Sequence, residues 1–334
     1  MSPRQSSMTI GLLVAASMLV LVIGLLVGAR PLSVGTAIRV LLAPDGKIDS
    51  ILVWTLRLPR SLTAAAAGAG LAVSGYVLQT LTRNPLADPG ITGVTAGAVA
   101  PIVWSFVFLP AVSPVSYPFI GLAGGLAAAS VTFWVSRGGQ GRPLQLALGG
   151  ISISLFLGAI TTYVLLLTGP QSASLLFWVS GGFQGRTWSH LAYMLPWTLA
   201  GVLGALLARR VIGMFMLSDH AAAGMGLQLG LWKPVILVLA VTPVAGVAPI
   251  AGPVGFVGLA APHIARLLRP RGTGWEIGLC AAIGSLIVVS ADVICRSIAV
   301  PRELPVGIAT AMLGGPVFIY LVQRGRIQLG SGRA

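Results

Sequence analysis

The stretch RNPLADPGITGVTAGA, residues 83–98, sets an arginine, an Asn-Pro and an Asp-Pro side by side ahead of a glycine-rich run, in a chain that is 56% hydrophobic and 8% charged. Asn84-Pro85 and Asp88-Pro89 are turn formers, and the residue before each proline is pushed out of the α region, so a helix must stop here. The apolar runs on either side, 61–82 and 92–110, have about the length that a ~30 Å hydrocarbon core demands of a helix rising about 1.5 Å per residue. The stretch therefore reads as a reversal between two membrane-crossing helices, at the inner membrane–water interface. Asp88 is a candidate cap for the second helix, and Gly93/Gly97 its packing face. Arg83, Asn84, Pro85, Asp88 and Pro89 are accordingly assigned a structural role in the turn.

The same reading extends along the chain. A mean hydropathy of +0.93 and seven acidic residues among 334 exclude a soluble globular domain, which carries about 25% charged residues. Apolar runs separated by polar or Pro/Gly breaks predict an all-α, polytopic integral membrane protein of ten spans and a single domain. The spans are 8–29, 61–82, 92–110, 117–136, 145–168, 188–208, 232–250, 254–268, 275–297 and 305–323. The first is too long for the h-region of a signal peptide, about 7–15 residues, and is read as a retained span. The eighth is set off only by AGVAPIAGPVG, inside an apolar run of 37 residues. There Pro243, Pro249 and Pro253 each remove a backbone donor, which predicts a bend or short re-entry. Small-xxx-small sets such as Ala64/Gly68/Ala72 and Gly121/Gly125 let helix backbones approach closely.

Ten spans place both termini on one side. With the termini inside, thirteen of the 21 basic residues fall on inner segments, as the positive-inside rule expects. The +14 net charge is thus explained by topology, with no nucleic-acid partner. Eight remain outside: Arg30, Arg39, Lys47, Arg57, Arg60, Arg186, Arg296 and Arg302. Asp45, Asp49 and Glu303 offset them only in part, and this outer excess calls for a cause.

Several chemistries are excluded. The only lysines, Lys47 and Lys233, sit in no G-x-x-x-x-G-K-[ST] frame, so any ATP is hydrolysed by another chain. Of the seven carboxylates only Asp292 falls within a span, one turn from Arg296 and placed for an i,i+4 ion pair near the outer interface. An ion-coupled carrier, the competing class, keeps carboxylates in its spans. His190, His220 and His263 form no catalytic or metal-binding pattern, and Cys280 and Cys295 lie about 22 Å apart along one predicted helix. No metal, cofactor or catalytic residue is assigned.

Three segments remain. WTLRLPRSL places Arg57 and Arg60 one turn apart at the outer mouth of the second span, and DVICRSIAVPRELPVG adds Arg296 and Arg302 on the same face. Snorkelling to headgroups and docking of an acidic soluble partner both suit such arginines. Residues 216–231 form an inner loop with helical spacing of Met216, Leu217, Met225, Leu227 and Leu229, able to lie on lipid or press into a partner groove.

Taken in order, LRLPRSLTAAAAGAGLAVSG, QTLTRNPLADPGITGVTAGA, LALGGISIS, FWVSGGFQGRTW, AGPVGFVGLAAPHIARLL and ADVICRS with ELPVGIATAMLGGPVFIYL resemble the permease family of bacterial iron–siderophore, haem and cobalamin ABC importers, the type II importers. The resemblance implies a dimer, homo- or heterodimeric, in the bacterial cytoplasmic membrane. It implies two ATPase subunits below and a periplasmic or lipid-anchored substrate-binding protein above. It carries Arg57, Arg60 and Arg296 over as partners of acidic groups on that protein, with Arg302 beside them. It also makes Ser218, Asp219, His220, Ala223, Gly224, Met225, Leu227 and Gly230 the ATPase-coupling segment, although AAAGMG departs from the family's more helix-favouring middle. A ferric siderophore is the first cargo it suggests, then haem, then cobalamin.

Overall fold

The described apolar runs form helices joined by short segments in this computed structural model, which describes residues 1–136, 143–168, 172–298, 300, 303–312 and 314–316. The helices are α1 (Pro3–Leu26), α2 (Val34–Leu42), α3 (Ile48–Ile51), α4 (Leu58–Thr82), α5 (Val94–Phe108), α6 (Tyr117–Ser136), α7 (Pro143–Leu167), α8 (Ser172–Val179), α9 (Trp188–Leu207), α10 (Arg209–Met214), α11 (Asp219–Gly224), α12 (Leu229–Ala251), α13 (Val257–Leu267) and α14 (Thr273–Ile298). No strand occurs among the described residues. Among the described residues seven helical stretches are long and apolar enough to cross a membrane, and Val94–Phe108 and Val306–Pro316 are shorter apolar helices. Where ten spans were expected, the eighth is represented by α13, which has only 11 residues. The tenth runs into residues that are not described.

Burial sorts the bundle into a centre and a shell. The spanning window of α4 is 78% buried and those of α12 and α14 are 61% buried, against 22% for α1, α7 and α9. α4 packs on α14, α12, α9 and α13, while α5, α6 and α7 form a second group joined to it through α12. In lipid no hydrophobic effect drives helices together, so close backbone approach has to supply the attraction. The centre is built on that rule. A Cβ on Gly68 would run into the Gly284 carbonyl, and one on Gly75 into the backbone of Gly258.

α4 begins further out than the sequence suggests. α3, a π-helical turn over Leu52–Arg57 and α4 run on as one stretch, Ile48–Thr82. The wide turn sits just before Pro59, which has no N–H to give to the turn below it. α2, a short outer helix capped by Ser33, was not read from the sequence.

The long apolar run breaks at Gly252–Phe256. Gly252 and Phe256 both take positive φ, at 65° and 66°, and α13 begins at Val257. Unwound backbone is tolerated at membrane depth only where protein satisfies it. Here Gly182 N–H donates to Ala251 O (2.8 Å) and Trp178 Nε1 to Pro249 O (3.1 Å).

Candidate functional site

The turn of residues 83–98 is where expectation and structure part most. α4 ends on Arg83 in the left-handed conformation, φ 49°, and Asn84 forms an Asx turn, its Oδ1 accepting from Leu86 N–H at 3.0 Å. The loop is covered by protein: Asn84, Ala87 and Asp88 are all buried. Thr132 Oγ donates to Thr92 O (3.0 Å) and Ser154 Oγ to Gly90 O (2.9 Å), which fastens the loop to α6 and α7. Asp88 does not cap α5, whose N-cap is Gly93. Its carboxylate accepts from Gly90 N–H at 2.8 Å and from the amides of Ile91, Gly258 and Leu259. The last two are the free donors at the amino end of α13, which the unwound break had left open. Burial pushes the Asp88 carboxyl up to about 6, against the pull of those four amides.

The outer arginines are paired within the chain. Arg57 donates to Leu25 O (2.5 Å) and to Arg30 O, which ties the π turn to the end of α1. Arg60 Nε and Nη2 reach Asp292 Oδ1 at 3.0 and 2.8 Å, and Nη1 reaches Glu303 Oε2 at 2.6 Å. Arg296 donates to Gly24 O (3.2 Å), to Ser61 Oγ (2.9 Å) and to Asp292 one turn away. The i,i+4 pair read from the sequence is thus present, but Asp292 serves two arginines rather than one. Arg57, Arg60 and Arg296, expected from the sequence to meet a soluble partner, are all buried in this chain. A guanidinium at the edge of an apolar bundle is held by whatever acceptors lie within reach, and here these are Asp292 and the last carbonyls of α1. Among the described residues of the cluster it is Glu303, at 37% side-chain exposure, that opens it to water. Arg302 lies outside the described residues.

On the opposite face the structure joins two groups that the sequence kept apart. Asp219 pairs with Lys233 Nζ (2.6 Å) and with Arg83, whose Nε also donates to Phe215 O at 2.9 Å. Hydrogen bonds from Lys233 and Arg83 hold the Asp219 carboxyl below its ordinary range. Ser218 caps α11, accepting from Ala221 N–H at 3.2 Å. Leu227 turns inward, and Ser218, His220, Ala223, Gly224, Met225 and Gly230 are exposed. Met216, Leu217 and Leu231 are exposed beside them. The result is a small apolar surface braced against the end of α4 by one carboxylate.

Sequence reasoning missed the bond from Tyr76 Oη to Glu276 (2.5 Å) and that from Gln79 Nε2 to Gly258 O (3.0 Å). It also missed a cavity of about 520 Å³ lined by Phe106, Tyr117, Phe177, Trp178, Gln184 and Arg186. Arg186 Nε is buried without a partner there, and burial lowers its pKa. Among the described residues no group of three or more His, Cys, Asp or Glu side chains is placed to hold a metal.

A glycine-packed bundle of helices long and apolar enough to cross a membrane defines a multi-pass membrane protein. The chain belongs to the FecCD transport family, whose profile matches residues 15–324. It is 36% identical over 326 residues to the Fe(3+)-citrate import system permease protein YfmD of Bacillus subtilis, covering 97% of both chains. It is 33% identical over 321 residues to the Fe(3+) dicitrate transport system permease protein FecC of Escherichia coli, covering 94% of this chain and 96% of that one. It is 32% identical to the hemin transport system permease protein HmuU of Yersinia pestis over 83% of this chain and 84% of that one. Among solved structures, an inward-facing metal-chelate type ABC transporter superposes with a TM-score of 0.79 at 27% identity, over 95% of this chain and 99% of that one. The chain is thus a transport subunit, a permease, similar over most of its length to permeases of iron-citrate, siderophore and hemin transport systems.

Proposed function

We propose that this chain forms half of a permease dimer in the bacterial cytoplasmic membrane, both termini inside, through which a ferric siderophore or ferric carboxylate chelate is imported. Two ATPase subunits and a substrate-binding protein would complete the machine. The observation that carries this reading is near full-length similarity to iron-citrate permeases. The cavity of about 520 Å³ supports an anionic cargo, because Arg186 faces aromatic rings and makes no ion pair among the described residues. Haem is the second reading, favoured by the hemin permease among the relatives.

In this mechanism the binding protein docks on the outer face. Its acidic group exchanges with Glu303 on Arg60, since that pair opens the buried cluster to water; Arg57 and Arg296 hold α1 in place beneath. The segment from Ser218 to Gly230 presses on the ATPase, and the Arg83–Asp219–Lys233 bridge passes its movement to α4 and α12. The spans then expose the path alternately to the two sides.

The test is uptake of radiolabelled ferric citrate, and of a panel of ferric siderophores and haem, by proteoliposomes holding the complete importer. Uptake requiring both ATP inside and binding protein outside is the expected result. Uptake driven by a proton gradient without the ATPase would show a secondary carrier instead.

A further inference from the structure

The structure also holds a cavity of about 590 Å³ at the end of the bundle where α9 stops and α14 starts. Arg209, Arg210, Arg271, Thr273 and Trp275 line it. We propose that it binds the phosphate headgroup of an anionic phospholipid, with the two phosphates of a cardiolipin the better match to its three guanidiniums. The proposal does not depend on which chelate the permease carries.

Depth comes first. The cavity lies at the water-facing ends of Trp188–Leu207 and Thr273–Ile298, both long and apolar enough to span, so it sits at headgroup level. Leu207 and Leu267 nearby are 86% and 68% exposed, an apolar skirt for acyl chains. Trp275 is half-buried at the rim, the position in which an indole bridges hydrocarbon and water.

Charge is the stronger argument, because it is complete. The chain has seven carboxylic side chains, and each is engaged elsewhere. Asp45 pairs with Lys47, Asp49 with Arg30, Asp219 with Arg83 and Lys233, Asp292 with Arg60 and Arg296, and Glu303 with Arg60. Glu276 accepts from Tyr76, and Asp88 is closed over backbone amides. Among the described residues Arg209, Arg210 and Arg271 make no ion pair, and all three are exposed. Basic pockets between spans are the sites that hold lipid phosphates.

The floor suits a phosphate too. Gly272 and Gly274 leave it open, and the Arg209 stem lies across Gly274, where a Cβ would come within 3.1 Å of its Cδ. The first turn bonds of α14 run from Trp275 and Glu276 N–H to Gly272 O. The amides of Thr273 and Gly274 and the Thr273 hydroxyl therefore stand at the positive end of a 26-residue helix. Three guanidiniums give forked donors that match phosphate oxygens. A lipid seated here would clamp the α9–α10 corner to α14, one short segment before Ser218.

The experiment is native mass spectrometry of the purified full chain with cardiolipin, phosphatidylglycerol or phosphatidylcholine added in equal amounts. The wild type is expected to keep the first two through detergent removal and to lose the third. R209Q/R210Q/R271Q should retain at least tenfold less cardiolipin, R209K/R210K/R271K most of it, and the charge-matched R4Q/R39Q/K47Q all of it. If the glutamine triple does not fold, its three single variants are read in its place. Displacement by excess inorganic phosphate, with acyl chains making no difference, would keep the phosphate chemistry but assign it to a solute. Cardiolipin retained equally by every variant, or no preference over phosphatidylcholine, would overturn the proposal. So would a site filled only by an acidic surface of the ATPase subunit.

Discussion

Replacing Asp292 with asparagine keeps the side chain's size and removes one negative charge from between two arginines. Asp292 has no exposed side-chain surface, and Arg60 and Arg296 expose 8% and 3% of theirs. At the 2.8 Å separation of Arg60 Nη2 and Asp292 Oδ1, Coulomb attraction at an effective dielectric constant of about 20 is about 6 kcal/mol. Returning the carboxylate's desolvation cost leaves a net loss of about 3–5 kcal/mol, the usual result of orphaning a buried charge. At about 1.4 kcal/mol per decade, the unfolding equilibrium should shift by roughly two to three and a half orders of magnitude. Reversible unfolding in mixed micelles, read by tryptophan fluorescence, measures it. The sharper check is R60M/D292L/R296M, which removes all three charges together. Because a buried ion cluster contributes little net stability over well-packed apolar residues, this variant should recover at least half of the loss, short of a full recovery because Gly24 O and Ser61 Oγ lose a donor. A D292N variant within about 1 kcal/mol of wild type, or a triple variant as unstable as D292N, would refute the charge-compensation argument.

Other consequences follow from the same geometry. E303Q should free Arg60 Nη1 and raise binding-protein affinity severalfold by surface plasmon resonance, whereas weaker binding would assign Glu303 itself to the docking surface. D219N should cut ATP-driven uptake at least tenfold in proteoliposomes while ATPase activity persists; tightly coupled uptake in that variant would remove the Arg83–Asp219–Lys233 bridge from the mechanism. Gly75→Ala would drive a Cβ into the backbone of Gly258, and overpacking costs about 1–3 kcal/mol. Gly11→Ala, with nothing near its Cβ, should cost none, and equal melting temperatures would contradict the packing. Burial raises Asp88 from 3.8 to about 6, so the folded chain holds a proton there that the unfolded chain releases. Stability should therefore rise as pH falls from 7 through 6, and D88N should flatten that slope. R186Q should raise the KM for an anionic chelate and leave that for a neutral one unchanged.

Much of the architecture was readable because lipid imposes it: runs such as 117–136 and 188–208 must be helical to satisfy their backbone. Tight packing was readable too, since Gly68 and its neighbours had no other use. The burial of the loop was not, because Asn-Pro and Asp-Pro mark a reversal whether it faces water or protein. What decides is the open amino end of α13, some 170 residues later in the chain. The outer arginines fell to the same limit. Arg296 and Asp292 are neighbours in sequence and could be paired by eye, but Arg60 reaches Asp292 across 232 positions. A stock-taking of the acids would have helped: with only seven, one inside a span can hardly remain unclaimed by nearby arginines.

The bare crossings of Gly68 on Gly284 and Gly75 on Gly258 bear on how such a gate moves. Main chain meets main chain at both crossings, so α4 stands as close to α13 and α14 as backbones allow, and any added Cβ would push them apart. Under the alternating access proposed above, they are expected to travel as a single strut, with the hinge on the other side of α12, where α5, α6 and α7 stand. A spectroscopic ruler spanning α4 and α14 should read one constant length throughout the transport cycle.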